Sequence, residues 1–287
     1  MKKVLIIGGS GFLGSHIADN LSNSNYQVTI FDQFKSKWLK KNQKMIVTNM
    51  KNIKKLENEI KKADIVYHLA AMSDIGDCMG APLKSAEINI LFTINILDFC
   101  IKHKVERLIF ASTIYVHSSQ GGFYRITKDA SEQYIEEYRK RFSLNYTILR
   151  YGTIYGLRSN KKNNLTKIIN TAIKQGKLEY SGGTSEAVRK YINVEDAAKL
   201  SCTVLQKKFT NKHVLITGEK NLKISTIMSI LSKLLKIKSK PKYQKITEYG
   251  HYDKSPYNKK NFKELKLFPK NSKDIKVGLT ELINHLN

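Results

Sequence analysis

Short apolar runs alternate with longer amphipathic stretches over the first 150 residues of the chain. The runs are rich in β-branched residues and almost continuously apolar, which is typical of strands in a parallel sheet covered on both faces. The predicted strands are 3–9, 27–32, 44–49, 64–71, 107–113 and 145–151, with a further strand near 213–218. Apolar residues at helical spacing predict helices over 11–22, 52–62, 84–103, 123–142, 163–176, 223–237 and 273–286.

This alternation of strands and helices predicts an α/β fold. Right-handed βαβ units build a doubly wound parallel sheet of the Rossmann type. The alternation loosens beyond Gly156. Residues 1–156 are therefore predicted to form a Rossmann domain, which also takes the strand near 213–218. Residues 157–287 are predicted to form mainly a smaller, discontinuous C-terminal region that binds substrate.

The net charge of +26, from 50 basic and 24 acidic residues, raises the question of a nucleic-acid partner. The lysines are spread over almost every predicted helix and loop instead of forming one stripe. The densest segment, KSKWLKKNQK at 35–44, contains one aromatic residue and no nucleic-acid-binding motif. The charge therefore predicts attraction of an anionic small substrate and no nucleic-acid partner.

Membrane and metal chemistry are both unsupported by the sequence. No apolar run approaches the ~20 residues that cross a bilayer. The run VLII near the N-terminus is too short for the core of a signal peptide, so we expect a cytoplasmic protein with no membrane partner. Cys78, Cys100 and Cys202 lie far apart without a C-x-x-C pair, and no H-E-x-x-H occurs, so no metal site is implied.

Three glycines follow the first predicted strand and open the first predicted helix. Gly8, Gly11 and Gly14 form the pattern G-x-x-G-x-x-G. In a dinucleotide-binding turn, the first glycine permits a tight turn, the second lets the backbone approach the pyrophosphate, and the third allows close packing of helix on strand. The N-terminus of the helix then binds phosphate, so Phe12 and Leu13 are also placed in the cofactor site.

Asp32 ends the second predicted strand, 18 residues after the last of these glycines. A carboxylate at this position accepts hydrogen bonds from the adenosine ribose and repels a 2′-phosphate. The sequence therefore favours NAD over NADP. Lys35 and Lys37 follow closely and offer the opposite possibility, because they would neutralise a 2′-phosphate. The alternative is that these glycines form a βα turn without a ligand and that Asp32 is a solvated surface acid. The glycine motif and its place between the first strand and the first helix both favour a cofactor site instead.

The pattern Tyr124-x-x-x-Lys128 lies on the helix that follows the fifth predicted strand, and Thr113 closes that strand. Residues four apart share one face of a helix. A free tyrosine has a pKa near ~10, and a neighbouring ammonium and an oxidised nicotinamide both favour the phenolate. Taken alone, Tyr124 and Lys128 would be an ordinary contact along a helix. Because a glycine motif lies upstream and the hydroxyl residue Thr113 closes the preceding strand, we predict that Thr113, Tyr124 and Lys128 are catalytic.

These motifs resemble those of the extended short-chain dehydrogenases/reductases, in the group of NAD-dependent nucleotide-sugar epimerases and dehydratases. DIVYHLAA (64–71) is similar to the family's fourth strand, and EINILFTINILDFC (87–100) resembles its next helix. LRYGTIYGLR (149–158) and VRKYINVEDAA (188–198) resemble two later blocks. The resemblance implies cofactor contacts from Leu69, Ala70, Ala71, Asn89, Tyr124, Lys128 and Tyr151, and substrate contacts from Thr113, Thr153 and Arg189.

The chain departs from the family's pattern in several places. Only ten residues separate Thr113 from Tyr124, where extended members carry a longer loop. Thr153 replaces an asparagine and Lys190 replaces an aspartate. His117 replaces a tyrosine; it is either a hydrogen-bonded loop residue or a group that reaches substrate.

The residues after Thr113 separate the reactions that the resemblance allows. Related 4,6-dehydratases have Asp-Glu there and related decarboxylases have a glutamate, whereas this chain has Ile114 and Tyr115. The remaining reactions need only Thr113, Tyr124, Lys128 and a nicotinamide, and because Asp32 favours NAD we predict an isomerase, a nucleotide-sugar 4-epimerase. The alternatives are a 4-ketoreductase (an oxidoreductase) acting on a nucleotide-linked keto sugar and a non-catalytic redox sensor. The resemblance also implies a homodimer formed through 84–103 and 123–142.

Overall fold

The computed structural model describes residues 1–244, 256 and 264–287. In chain order the strands are β1 (Lys3–Ile7), β2 (Gln27–Asp32), β3 (Gln43–Val47), β4 (Ile65–His68), β5 (Arg107–Thr113), β6 (Tyr146–Tyr151), β7 (Thr153–Tyr155), β8 (Glu179–Tyr180), β9 (Val188–Arg189), β10 (Tyr191–Asn193), β11 (Lys212–Ile216), β12 (Leu222–Lys223), β13 (Lys242–Tyr243) and β14 (Leu265–Leu267). The helices are α1 (Phe12–Asn23), α2 (Ile53–Ile60), α3 (Ile75–Gly80), α4 (Pro82–Ala86), α5 (Phe92–Lys102), α6 (Gly122–Phe142), α7 (Asn164–Gln175), α8 (Val194–Thr203), α9 (Ile224–Leu234) and α10 (Ile275–Leu286). A π-helical turn, Glu87–Leu91, joins α4 to α5, and 3-10 turns lie at Ile114–His117 and Lys207–Phe209.

Eight strands form one parallel sheet in the order β3-β2-β1-β4-β5-β6-β11-β14. The order reverses between β1 and β4, so the sheet is doubly wound, which confirms the predicted fold class. The strand predicted near 213–218 is β11, which pairs with β6. β14 was not predicted, because it is a three-residue edge strand, partly exposed, with a lysine at its centre.

Both faces of the sheet are covered, which explains why the strand sequences are continuously apolar. In β1, Val4 and Ile6 pack with α1 and α8 on one face, and Leu5 and Ile7 pack with α2 and α5 on the other. α8 was not predicted as a helix. It covers the sheet through small residues, with Ala197 and Ala198 fully buried.

A separate apolar core lies in the second half of the chain. It is built from α7, α9 and α10 around Tyr155 and Tyr180, which are both 1% exposed. The predicted substrate-binding region, 157–287, includes residues 245–255 and 257–263, which lie outside the described residues. The division of the chain into domains therefore stays a prediction. Within the described residues, no helix combines the length and the apolarity needed to cross a membrane.

The packing of α10 against Tyr155 gives a test of this second core. A Cβ atom at Gly278 would lie 2.5 Å from the Tyr155 hydroxyl oxygen. We expect Gly278→Ala to lower the free energy of unfolding by about 1–3 kcal/mol, because the core is overpacked. Gly80→Ala is the control, since a Cβ atom there meets nothing within 4 Å. Urea denaturation of both variants measures the difference, and equal stabilities would contradict the predicted packing.

Candidate active site

A cavity of about 780 Å³ opens along the carboxyl ends of β1, β2, β4, β5 and β6. This edge is where an open α/β sheet binds ligands. The cavity is lined by almost all of the residues singled out in the sequence: Gly8, Gly11, Phe12, Leu13, Gly14, Asp32, Leu69, Ala70, Ala71, Thr113, Tyr124, Lys128, Tyr151, Thr153 and Arg189. Asn89 is the exception.

The three motif glycines are needed for different reasons. Gly8 has a φ of +88°, and a Cβ atom there would lie 2.5 Å from the backbone nitrogen of Ala70. A Cβ atom at Gly14 would collide with the carbonyl oxygen of Gly8. At Gly11 a Cβ atom would meet that same oxygen at 3.3 Å, a tight contact but far less severe than those at Gly8 and Gly14, and no other heavy atom of the surroundings within 4 Å. Gly8 and Gly14 therefore shape the turn, while the open side of Gly11 faces the cavity.

Gly11 is also the N-cap of α1, and it offers no side chain to satisfy the first turn of the helix. The N–H groups of Phe12, Leu13 and Gly14 have no intrahelical partners, as at any helix start. All three residues line the cavity. Backbone N–H groups at the positive end of a helix bind phosphate, so this end of the cavity fits the pyrophosphate of a dinucleotide.

The Asp32 carboxylate is fixed at the end of β2 by two backbone groups. Its Oδ2 accepts from the N–H of Ser10 at 3.0 Å, and its Oδ1 accepts from the N–H of Phe34 at 3.1 Å. Each oxygen keeps a further lone pair for another donor. An anchored carboxylate beside the glycine turn therefore fits the hydroxyls of an adenosine ribose and disfavours a 2′-phosphate.

Thr113 and Tyr124 meet at the end of β5. The Thr113 hydroxyl accepts from the N–H of Tyr115 at 3.3 Å and shares a hydrogen bond with the Tyr124 hydroxyl. Burial raises the pKa of Tyr124 to about 12, and the Thr113 hydrogen bond opposes this rise. Lys128 and an oxidised nicotinamide were predicted to lower the pKa of Tyr124 together; in the protein without the cofactor the pKa is raised, because burial outweighs the other effects.

Lys128 is itself deeply buried, at 2% exposure, with its Nζ 4.0 Å above the centre of the Phe110 ring. Burial lowers the pKa of Lys128 to about 7, and the negative charge of Glu132 opposes the fall. His68 lies beneath the same ring, and burial and the Lys128 charge hold its pKa well below 6.5.

Asn89 lies behind the cavity wall. Its side-chain amide accepts from the Met72 N–H at 2.8 Å and donates to the Met72 carbonyl at 3.0 Å and to the Thr127 hydroxyl at 2.9 Å. It belongs to the π-helical turn, a feature often found at functional sites. In the structure Asn89 therefore holds the loop after β4, which lines the cavity, and connects it to α6.

Tyr151 and Arg189 line the cavity while bonding to the protein around it. The Tyr151 hydroxyl bonds to the Ser201 hydroxyl of α8 at 2.7 Å. The Arg189 guanidinium is 3% exposed; it donates to the Val188 carbonyl at 2.9 Å and, at 3.4 Å, to the Tyr180 hydroxyl. These contacts fix the positive charge of Arg189 at the cavity wall.

His117 is a buried, hydrogen-bonded residue in the 3-10 turn after β5. Its Nε2 lies 3.1 Å from the Glu264 carboxylate and 2.9 Å from Arg150 Nη1. These contacts agree with the first of the two predicted roles, in which His117 is a hydrogen-bonded loop residue and does not reach substrate. It does not appear among the described residues that line the cavity.

The structure also brings to the cavity residues that the sequence did not single out. They include Asp74 and Asp77 from the segment around α3, Asn160, Lys162 and Asn163 before α7, and Asn164 at its first position. Lys162 forms an ion pair with Asp77 between these two segments. The polar run SNKKNN at 159–164 marks the second segment in the sequence, but it matches no motif that indicates a ligand.

Comparison with known proteins agrees with the fold and the motifs. A family model described as "NAD dependent epimerase/dehydratase family" matches residues 4–217. A protein of Methanocaldococcus jannaschii, provisionally named a UDP-glucose 4-epimerase, is 26% identical over 268 residues, 85% of this chain and 86% of that protein. A UDP-N-acetyl-alpha-D-glucosaminuronate decarboxylase of Bacillus cytotoxicus is 27% identical over 296 residues, 92% of this chain and 91% of that protein.

A solved structure shows the same fold over nearly the whole chain. It is a UDP-glucuronic acid 4-epimerase from Bacillus cereus, in complex with UDP-glucuronic acid and NAD. The TM-score is 0.83 at 22% sequence identity, covering 99% of this chain and 98% of that one. The similar proteins thus include both epimerases and a decarboxylase.

The glycine turn yields a paired test. Gly11→Val should abolish NAD binding and leave the protein folded, because Gly11 lines the cavity where the pyrophosphate would approach and its added Cβ atom meets one protein atom within 4 Å, at 3.3 Å. Gly14→Val should instead destabilise the fold, because its Cβ atom collides with backbone. Calorimetric NAD titration and thermal unfolding separate the two effects. Unchanged NAD affinity in Gly11→Val would reject the phosphate-binding role of this turn.

Proposed function

The chain belongs to the NAD dependent epimerase/dehydratase family, and we propose that it is a nucleotide-sugar 4-epimerase acting by transient oxidation at C4. One observation carries the proposal. Thr113 and Tyr124 form a hydrogen-bonded pair near the buried Lys128, and the next residue, Ile114, is a buried aliphatic side chain without acid–base chemistry. Dehydration and decarboxylation by related enzymes use an acidic residue at that position.

In this proposal the chain moves one proton and holds the reacting groups. NAD, when bound, supplies reversible hydride transfer. Tyr124, as the phenolate that the positive charges of Lys128 and of an oxidised nicotinamide would favour, takes the proton of the substrate's C4 hydroxyl and later returns it, as a general base and then a general acid. Thr113 hydrogen-bonds the same oxygen and orients it. Lys128 binds a ribose hydroxyl of the cofactor, and Asp32 and the start of α1 hold its other end.

The proposed nucleotide-sugar substrate occupies the part of the cavity walled by Thr153 and Arg189. Arg189 is proposed to bind the diphosphate, because a guanidinium makes strong charge-assisted bonds to phosphate oxygens. Thr153, in β7, lies next to the end of β6 and offers a hydroxyl to the sugar. β7 pairs with β10, which begins two residues after Arg189, so this short pair of strands brings Thr153 and Arg189 to the same part of the cavity.

Product analysis tests the proposed reaction. The purified protein is incubated with UDP-glucose, UDP-N-acetylglucosamine or UDP-glucuronic acid, and the sugars are identified by NMR. Interconversion of gluco and galacto forms without net NADH consumption is expected. In a second incubation, with NADH and a 4-keto nucleotide sugar, reduction with stoichiometric NADH consumption would identify a ketoreductase instead if the first incubation shows no interconversion. If the protein carries out neither reaction with any of these substrates, the result contradicts both the 4-epimerase and the 4-ketoreductase.

The acid–base role of Tyr124 gives a sharper prediction. Tyr124→Phe keeps the ring but removes the exchangeable proton, so kcat should fall by about 10²–10⁴-fold. NAD affinity should stay near that of the unchanged protein, because the glycine turn, Asp32 and Lys128 remain. Thr113→Val should also lower kcat, whereas Thr113→Ser should be tolerated because the hydroxyl persists. Wild-type turnover in Tyr124→Phe would remove Tyr124 from the mechanism.

We also propose a homodimer formed through the helices from α4 to α6. Large apolar side chains are exposed on these helices: Leu83 (74%), Leu91 (56%), Ile126 (46%) and Tyr134 (44%). Contiguous exposed apolar patches often mark interaction surfaces. Two copies of this surface would form a four-helix interface around a two-fold axis.

The dimer is tested by placing a charge on the surface. Leu91→Asp combined with Ile126→Asp should convert the dimer to a monomer, as measured by size-exclusion chromatography with light scattering. Val47→Asp is the control, because Val47 is similarly exposed, at 53%, but lies on the edge strand β3. A monomeric unchanged protein, or a dimer that survives the double substitution, would contradict this interface.

A further inference from the structure

A group of buried charges lies on the far side of Lys128 from the cavity entrance. We call Glu132, Arg150 and Glu264 the buried charge cluster. Their side chains are 3%, 13% and 3% exposed. Glu132 follows Lys128 by one turn of α6, Arg150 lies in β6, and Glu264 directly precedes β14. Residues four apart on a helix have Cβ atoms about 5–6 Å apart, so Glu132 is close to Lys128.

Arg150 holds both carboxylates of the cluster. Its Nε donates to Glu132 Oε1 at 3.1 Å, its Nη2 donates to Glu132 Oε2 at 2.5 Å, and its Nη1 donates to Glu264 Oε2 at 3.0 Å. The Ser112 hydroxyl also bonds to Glu132. Ser112 immediately precedes Thr113, and Arg150 immediately precedes Tyr151. Glu132 is therefore fixed against the two strands that carry residues of the active site.

The buried charge cluster contains more negative than positive groups. Two carboxylates and one guanidinium leave one net negative charge among buried groups. Buried charge is costly unless it is balanced nearby, and a protonated Lys128 supplies the missing positive charge. With Lys128 included, the four buried groups are neutral as a set.

Other titratable groups also lie around Lys128 and the cluster. Burial keeps His68 neutral, and burial and Arg150 lower the pKa of His213, which lies 3.6 Å from Glu132. The His117 Nε2 lies 2.9 Å from Arg150 Nη1 and 3.1 Å from Glu264 Oε2, so it contacts those two members of the cluster. Tyr124 is a neutral phenol with its pKa raised to about 12. Glu136 pairs with His213 at 2.7 Å and is 42% exposed.

We propose that Glu132, fixed by Arg150 and Ser112, is a positioning residue that keeps Lys128 protonated at neutral pH and so able to bind the cofactor's ribose. The proposal rests on the proposed function, in which Lys128 binds that ribose. Glu132 touches neither cofactor nor substrate. It acts through the charge of Lys128, and its own place is set by the strands beneath the active site.

Removing the negative charge of Glu132 should change the pKa of Lys128 in one direction only. Burial already lowers the pKa of Lys128 to about 7, and Glu132 opposes that fall. Glu132→Gln therefore lowers the pKa further. With an effective dielectric constant of about 20 and a separation of one helical turn, Coulomb's law gives a shift of about 1–2 pH units. The protonated form then disappears at a lower pH than in the unchanged protein.

NADH binding as a function of pH provides the readout. NADH fluorescence titrations from pH 5 to 9 should show affinity that is highest at low pH and falls as Lys128 loses its proton. In Glu132→Gln the midpoint of this fall should move down by about 1–2 pH units. Glu136→Gln is the matched control. It removes the same charge one turn further along α6, at a largely exposed position, and should leave the midpoint in place.

Two further variants guard against simple unfolding. Glu264→Gln removes the other carboxylate from a different element and should move the midpoint in the same direction by a smaller amount. Glu132→Gln combined with Arg150→Met removes one charge of each sign, so its midpoint should return toward that of the unchanged protein. Thermal unfolding confirms that each variant is folded before it is titrated.

The outcomes separate this inference from the proposed function. If Lys128→Met abolishes the pH dependence but a folded Glu132→Gln keeps the wild-type midpoint, the role of Glu132 is wrong while Lys128 keeps its own. If Lys128→Met binds NADH with unchanged affinity and pH dependence, the proposed role of Lys128 fails instead. A midpoint that moves in Glu132→Gln and returns in the double variant supports charge balance over a structural effect.

Discussion

The close contact between the turn after β1 and the end of β4 sets the geometry on which the rest of the site depends. The backbone N–H groups of Leu69 and Ala70 both donate to the Ile7 carbonyl, at 2.8 and 3.0 Å. Only a glycine fits beside them at position 8. This contact places the start of α1 and the loop after β4 on two sides of one cavity. The N–H of Ser10, in the same turn, then anchors Asp32.

Burial shifts the pKa values of Tyr124 and Lys128, the two proposed catalytic residues, in opposite directions. The same apolar surroundings raise the pKa of the Tyr124 phenol and lower that of the Lys128 ammonium, because low polarity disfavours the charged form of each. The phenol of Tyr124 is therefore held neutral, while Lys128 lies close enough to neutrality that a nearby charge such as that of Glu132 decides its protonation. Perturbed groups that meet in a cleft are typical of acid–base sites, which agrees with the proposed chemistry.

Local sequence patterns predicted the central sheet and the glycine turn, because each depends on residues close together in the chain. Buried parallel strands require continuous apolar runs, and the turn between β1 and α1 requires glycine at Gly8 and Gly14. Features that depend on distant residues were not predicted. The short strand β14 has no apolar run, and the burial of Lys128 follows from packing against Phe110. The pairing of Arg150 with Glu264 joins positions 114 residues apart.

Helix α8 also limits how the chain can be divided. Although it follows position 156, its Ser201 bonds to Tyr151, and its backbone carbonyl at the same residue accepts from the Tyr67 hydroxyl. A fragment ending at 156 would expose the apolar face of the sheet that α8 covers, and would leave β6 as an unpaired edge where β11 now lies. Such an edge is a template for aggregation. We therefore expect the half of the chain that carries the glycine turn to need α8 and β11 in order to fold, so that a cofactor-binding fragment has to include both.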